Sequence, residues 1–472
     1  MLRIEKNKPD RTFFLLSLLL CTALLLSSLL FWDHLMIFTD DSSANINMDI
    51  TREVVYPLFL AMMRLIFGSQ GYLIPTLILQ NLIAGFGVWS FCIYLYQTFR
   101  LPKFLTLMIM GGCDLVLLLI GRSLCYVSAI QTEALAVPLF FLLMRYLLQS
   151  AVELRFRPLI PAAILTAIGV LLRAQFLMFV VLLALVAGYV AISKKSFWKA
   201  LLPILASVAV ILALTHTLTM TYHYFANGVF TSTPFGNRHI ATRMLYVADM
   251  EDAALFQDDP ALQNVFILAE KEMFELGRNY SAVSNADVLT QYEHLEANFD
   301  ATLFFSMQPF LVSELFPDFF TSTDPTMWVR FDAKAGEFIR PLLADNAGKY
   351  LQTVANSFIV GVVRCNSFYS LRLSRSINLC SVFFSLGMYT AAVSLAVYSF
   401  KKRRASGTCM AIVLVMILGL AAVPSLSLFP STRYMFYAIG PFYAILTILA
   451  YEWICDRIAS VRAKRKPQGQ II

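Results

Sequence analysis

Apolar residues in this chain are gathered into long blocks near 13–32, 72–96, 101–120, 131–148, 158–172, 174–192, 198–220, 376–400, 409–428 and 433–455. A helix of roughly 20 apolar residues crosses a hydrocarbon core about 30 Å thick, and helices are the spanning form that satisfies its own backbone. The pattern therefore predicts an all-α polytopic protein with about ten transmembrane helices by that length rule. Only Leu171-Leu172-Arg173-Ala174 interrupts the stretch 158–192, so these two runs are candidates for a tight helical hairpin with the arginine at the interface. The first block follows Arg3, Lys6, Lys8 and Arg11, like the basic start of a signal peptide. Its length and the lack of a clear small-residue cleavage site make it a retained span.

The stretch 221–375 breaks the pattern. It is rich in Asp, Glu, Asn and Thr, with candidate helices near 260–277 and 286–305 and turns at Asp259-Pro260 and Asp324-Pro325. It reads as a small, mostly helical cap. Its two apolar stretches, 301–320 and 350–363, are too short to span and are expected to lie on the membrane or on the spans. The chain thus divides into an N-terminal module (1–220) with a first outer loop at 33–71, the cap (221–375), and C-terminal helices with a basic tail (376–472).

Composition agrees with this class: 58% of residues are hydrophobic, 14% are charged, and the mean hydropathy is +0.69. Charge adds orientation. Arg3/Lys6/Lys8/Arg11, Arg100/Lys103, Arg145/Arg155/Arg157, Lys194/Lys195/Lys199, Lys401/Lys402/Arg403/Arg404 and Arg462/Lys464/Arg465/Lys466 all fall on one side of the ten-span arrangement. Short cytoplasmic loops carry the positive excess, so both termini are expected in the cytoplasm. The other side receives 33–71, 121–130, the bend at Arg173, the cap and 429–433. These basic clusters largely explain the net charge of +7, which points to anionic lipid headgroups and away from nucleic acid. The absence of an ER retrieval signal favours a bacterial plasma membrane.

The eight cysteines make no disulfide framework. Cys21, Cys92, Cys113, Cys380, Cys409 and Cys455 lie in or at the edges of apolar blocks; Cys125 and Cys365 lie outside, and a bond between them stays open beside the plainer reading of separate buried thiols. No CxxC or His/Cys ligand spacing occurs, so a divalent metal is not indicated. Asn279-Tyr280-Ser281 is a sequon only where the compartment uses one.

The candidate chemistry starts where the first apolar block stops, at Asp40-Asp41-Ser42-Ser43, followed by Arg52-Glu53-Val54-Val55-Tyr56-Pro57. Carboxylates just outside a span, beside solitary arginines, suit a polyprenyl-phosphate sugar. Its phosphate is a good leaving group that needs no protonation, so one carboxylate as general base and an arginine on the departing phosphate suffice. A hydrolase acting on a poor alkoxide leaving group would need a second, acidic carboxyl. Each residue also has a plain reading: Asp40 and Asp41 as turn or capping acids with Asp49 as a substitute, Arg52 as partner of Glu53 or Asp49, Glu133 as a helix cap, and Arg173 and Arg433 as interface residues. Asp114 falls inside a block, where a carboxylate is costly and usually paired. Gly236-Asn237-Arg238-His239 reads as a cap loop that could otherwise touch acceptor or pyrophosphate.

Asp40-Asp41, Arg52-x-x-x-Tyr56-Pro57-Leu58-Phe59-Leu60, Gln131-Thr132-Glu133, Gly169-x-x-x-Arg173 and Arg433-Tyr434, in this order over 13–455, resemble the GT-C superfamily of integral membrane glycosyltransferases, near the bacterial relatives of the dolichyl-phosphate-mannose protein mannosyltransferases. The resemblance implies that Asp40 or Asp41 is the catalytic acid of the first outer loop. Arg52, Tyr56, Arg173 and Arg433 would then bind the lipid phosphate, with Glu133 closing the site. The partners would be a polyprenyl-phosphate sugar donor and a glycan, lipid or protein acceptor. No Asp-x-Asp occurs in 121–130, unlike metal-dependent oligosaccharyltransferases, and the cap sits between spans rather than at the C-terminus. The alternatives are a flippase for a lipid-linked glycan, with Asp114, Glu133 and the arginines lining a path, and an O-antigen-type polymerase or ligase.

Overall fold

The computed structural model describes residues 10–31, 38–119, 126–366 and 379–465. Among them the regular structure is helical and no strand occurs. The N-terminal module comprises α1 (Arg11–Leu26), α2 (Ser28–Phe31), α3 (Asp40–Ile46), α4 (Val55–Gly71), α5 (Leu73–Phe99), α6 (Lys103–Leu119), α7 (Glu133–Glu153), α8 (Leu159–Leu172), α9 (Leu177–Ser193) and α10 (Phe197–Asn227). An insertion follows, with α11 (Gly236–Val247), α12 (Pro260–Glu275), α13 (Val288–Ala301), α14 (Gln308–Leu315), α15 (Thr326–Gly336) and α16 (Ile339–Cys365). The chain ends with α17 (Leu379–Lys401), α18 (Ala405–Ser427), α19 (Thr432–Met435) and α20 (Ile439–Arg465).

Eight helices among the described residues are long and apolar enough to cross a membrane: Arg11–Leu30, Leu73–Phe99, Glu133–Glu153, Ala174–Ser193, Phe197–Asn227, Leu379–Lys401, Ala405–Ser427 and Thr432–Arg462. This makes the chain a polytopic membrane protein. Eight of the ten expected runs are such helices among the described residues; the other two are α6, described from Lys103 to Leu119, and α8, with 14 residues. At about 1.5 Å per residue, α8 reaches only about 21 Å. The expected start of the cap at 221 also moves, because α10 continues to Asn227 and ends on the left-handed Gly228.

The spans share one core, centred on α5 and α7. A Cβ on Gly87 would come within 2.7 Å of the Pro138 backbone, so the two helices touch along a glycine, as small residues allow where lipid supplies no hydrophobic drive for helix pairing. The most apolar window of α5 is 72% buried in the molecule and that of α10 only 6%, which sets α10 at the periphery with its side chains toward the surroundings.

The insertion has a separate core, with Phe256, Phe266, Phe331 and Phe338 buried beside Met244, Leu303, Met307 and Leu311. In the stretch 301–320, Thr302–Met307 forms a π-helical turn continuing into α14; Leu303, Met307 and Leu311 fill this core, while Phe304, Phe305 and Phe320 stay exposed. The stretch 350–363 is the second half of α16, where Phe358 and Val362 pack on the core of the spans. The expected loop at 236–239 is instead the first turn of α11, capped by the Asp332 carboxylate, which accepts the Arg238 backbone N–H at 3.0 Å.

Candidate functional site

The site is built from helix ends. Glu133 is the first residue of α7, where the positive end of the helix favours a carboxylate. The turn before it is pinned on two sides: Ser42 Oγ of α3 donates to the Ile130 carbonyl at 2.7 Å, and Ser128 Oγ lies 2.6 Å from Ser28 Oγ. Arg173 occupies the break between α8 and α9 in extended backbone (φ −158°, ψ 130°), its N–H donating to the Gly169 carbonyl at 2.8 Å. Gly169 is required there, because a Cβ would enter the Phe176 ring that closes the bend. Arg433 stands in the short α19, and the adjoining Tyr434 carbonyl accepts Gln175 Nε2 at 2.9 Å, tying α19 to the bend at Arg173.

These ends bring the predicted residues together across as many as 392 positions of chain. Glu133 is fully buried and ion-paired with both Arg173 and Arg433, whose Nη2 also donates to Glu133 Oε2 at 3.1 Å. Arg433 Nη2 reaches Asp41 Oδ2 at 2.6 Å, and Arg52 Nη1 reaches Asp41 Oδ1 at 2.8 Å. Arg173 also stacks over the Tyr434 ring, 5.4 Å from its centroid. Among the described side chains the result is one cluster of three guanidinium groups and two carboxylates.

Burial alone would raise the Asp41 carboxyl, but the charges of Arg433 and Arg52 and the Arg433 hydrogen bond outweigh it and hold Asp41 below its ordinary value. Asp41 is therefore an ionised acceptor. The Arg52 guanidinium pairs with Asp41 and, among the described residues, with neither the Glu53 nor the Asp49 carboxylate; its backbone N–H donates to the Asp49 carbonyl at 3.0 Å. Asp49 holds a turn, accepting the Thr51 N–H at 2.8 Å and the Thr51 hydroxyl at 2.7 Å. Asp40 opens α3, and its side chain lies outside the described residues. Tyr56 is fully buried under the cluster, its hydroxyl accepting Gln80 Nε2 at 2.7 Å, so its contact is with the scaffold.

Sequence reasoning missed how the insertion holds this site. The segment that carries Arg433 is gripped at Leu426 by the Tyr350 hydroxyl (2.7 Å), at Leu428 by Arg243, and at Pro430 by the Tyr292 hydroxyl (3.1 Å) and Arg364 (3.4 Å). Gly361 of α16 lets Pro430 settle against the helix, since a Cβ there would stand 2.5 Å from the proline ring. Buried Arg243 and Arg364 look like ordinary surface charges in a polar stretch; their only signal is their position in otherwise apolar helical faces.

The remaining candidates separate from the cluster. Asp114 is buried, with Oδ1 accepting Cys21 Sγ at 3.4 Å and Oδ2 without a partner. Cys125 and the 121–125 part of the loop lie outside the described residues, and Cys365 is a buried thiol directed at the Met435 carbonyl at 3.8 Å. Asn279 of the sequon is buried and donates to Glu270 Oε1 at 3.1 Å, so the folded chain does not offer it for glycosylation. Among the described residues no group of three or more His, Cys, Asp or Glu could hold a metal ion. Comparison with protein-family models, curated proteins and solved structures gives no match.

Proposed function

We propose that this chain is a membrane glycosyltransferase of GT-C type, moving a sugar from a polyprenyl-phosphate donor to a glycan, lipid or protein acceptor on the outer face of a bacterial plasma membrane, with both termini cytoplasmic. The observation that carries the reading is the convergence of Asp41, Arg52, Glu133, Arg173 and Arg433, drawn from remote parts of the chain, into one charged cluster. The arginines suit a lipid phosphate, because guanidinium groups bind phosphate oxygens through paired, charge-assisted hydrogen bonds.

In the absence of substrate the carboxylates stand where phosphate oxygens would sit. An entering phosphate takes Arg433 from Asp41, while fully buried Glu133 stays as the anchor that orients Arg173 and Arg433. Released from one guanidinium, Asp41 becomes more basic and accepts the proton of the acceptor hydroxyl. The acceptor oxygen bonds to the anomeric carbon as its bond to the phosphate oxygen breaks. The electron pair leaves on polyprenyl phosphate, where the arginines stabilise it, and the sugar inverts.

The test is sugar transfer by the detergent-purified chain from a panel of polyprenyl-phosphate sugars, with Asp40→Asn and Asp41→Asn checked for folding by thermal melting. Asp41→Asn is expected to lose turnover and keep donor binding. A wild type that binds donor and never releases polyprenyl phosphate would contradict the reading. One observation favours the transporter alternative: Asp114, buried within α6, has an oxygen without a partner, as proton-coupled paths often do. Release of polyprenyl phosphate without any gradient excludes transport as the sole activity, and release of a diphosphate lipid would instead indicate a polymerase or ligase.

A further inference from the structure

Arg238 is not used by the cluster above, and its surroundings are unusual for a buried charge. It is 3% exposed, with its guanidinium 3.7 Å from the centroid of Phe235 and 5.0 Å from that of Trp328. Aromatic faces fix its plane but leave its edge donors unused: Nε and Nη1 are buried with no hydrogen-bond partner among the described residues. The nearby Asp332 gives Oδ1 to the Arg238 backbone N–H at 3.0 Å rather than to the guanidinium. Burial, opposed by the Asp332 charge, draws Arg238 down to about 10, the mark of a cation short of compensation.

Two more unused donors belong to groups that share an electrostatic neighbourhood with Arg238. Tyr222 Oη and Arg52 Nε are also buried with no hydrogen-bond partner among the described residues. Tyr222 packs with Val54 and Leu171, and Thr233 Oγ1 donates to Glu53 Oε2 at 3.3 Å, which joins the segment around Arg52 to the chain leading into α11. Asp49 is an electrostatic neighbour of both Tyr222 and Arg238, and Arg52 acts on Arg238 with like charge. Buried Arg238 and Tyr222 and half-buried Arg52, each with an enclosed N–H or O–H left unused, make an arrangement that costs stability unless an acceptor arrives.

We propose that Arg238, with Tyr222 and Arg52, forms a second anion subsite that takes a phosphate or carboxylate group of a substrate, distinct from the Arg173–Glu133–Arg433 cluster. Which substrate bears the anion rests on the glycosyltransferase reading: it is an acidic acceptor, or the second phosphate of a diphosphate-linked donor. Arg52, already paired with Asp41 through Nη1, couples the two subsites.

The full chain in nanodiscs of neutral lipid is titrated with inorganic phosphate and with pyrophosphate, following Trp fluorescence, since Trp328 stacks on Arg238. Wild type is expected to give a saturable response, weakened at least about tenfold in Arg238→Gln, as loss of a charged hydrogen bond implies. Tyr222→Phe, a milder change, should weaken it less, and Trp328→Phe should abolish the signal while phosphate still raises the melting temperature. An acidic acceptor predicts phosphate and pyrophosphate responses that survive Arg433→Gln; a diphosphate donor predicts tighter pyrophosphate binding that needs both Arg238 and Arg433. A phosphate response unchanged in both Arg238→Gln and Tyr222→Phe, or lost only in Arg433→Gln, overturns the subsite. Arg238-dependent binding in a protein that transfers no sugar would leave the subsite standing and contradict the glycosyltransferase reading instead.

Discussion

Arg364 and Arg433 are both held by a glutamate, one inside the insertion and one at the end of a span, yet their surroundings differ. Arg364 is 2% exposed and forks onto Glu296 at 2.8 and 2.7 Å, with the Tyr292 hydroxyl at 2.6 Å. There one cation meets the Glu296 carboxylate directly and the Glu293 charge at longer range. Arg433 has a side chain 32% exposed, shares Glu133 with Arg173, and shares Asp41 with Arg52. Among the described side chains, the second cluster has one more cation than it has anions. A cation fully met by anions serves packing and fixes geometry, whereas a cluster with cations in excess at a helix end retains capacity for a further anion.

Removing the shared anion breaks this contrast most severely. Glu133→Gln leaves Arg173, whose side chain is 11% exposed, without its carboxylate and beside the Arg433 charge, and is expected to cost about 3–5 kcal/mol, read by denaturant unfolding in detergent. Arg364→Met leaves Glu296, whose side chain is 26% exposed and can be hydrated, so its cost should be smaller, about 2 kcal/mol. Adding Glu296→Gln should restore part of that loss. If the Arg364 variant is as damaging as Glu133→Gln, the two clusters are alike in kind. Gly169→Ala forces a methyl into Phe176 and should cost about 1–3 kcal/mol, with sugar transfer falling further than stability because the bend carries Arg173.

A smaller effect separates the cluster from its neighbour Glu53. Burial, eased by the Thr233 hydroxyl, raises the Glu53 carboxyl to about 7. The folded chain therefore holds this proton more tightly than the unfolded chain. Its stabilising contribution is full below the ordinary glutamate value and is lost as pH rises through about 7. Glu53→Gln should flatten the stability profile over that window and be more stable than wild type at pH 8 by on the order of 1–2 kcal/mol. An unchanged profile would show that Glu53 is solvated like any surface acid.

Much of this was legible in the chain. Apolar blocks give the spans because length and composition alone decide membrane crossing, and Gly169-x-x-x-Arg173 gives the bend because one arginine interrupts two apolar runs. Asp41, Arg52, Glu133, Arg173 and Arg433 stand out as charges at block ends. Their pairing does not, since local spacing offers Glu53 and Asp49 to Arg52 while the fold supplies Asp41. The cap was hardest to read. Leu303 and Met307 look like membrane-surface residues until a core forms over them, and a sequon carries no sign that Asn279 will be enclosed by Glu270.

The most direct test is the affinity of the nanodisc-embedded chain for polyprenyl phosphate, compared between wild type, Arg433→Gln and the double variant Arg364→Met/Glu296→Gln. If the unbalanced cluster is the lipid-phosphate site, Arg433→Gln weakens binding about 10- to 100-fold, the worth of a charged hydrogen bond, and the double variant, which gives up only one of the contacts that hold the Arg433 segment, shows a much smaller loss. Equal affinity in all three, or equal losses in both variants, would contradict it.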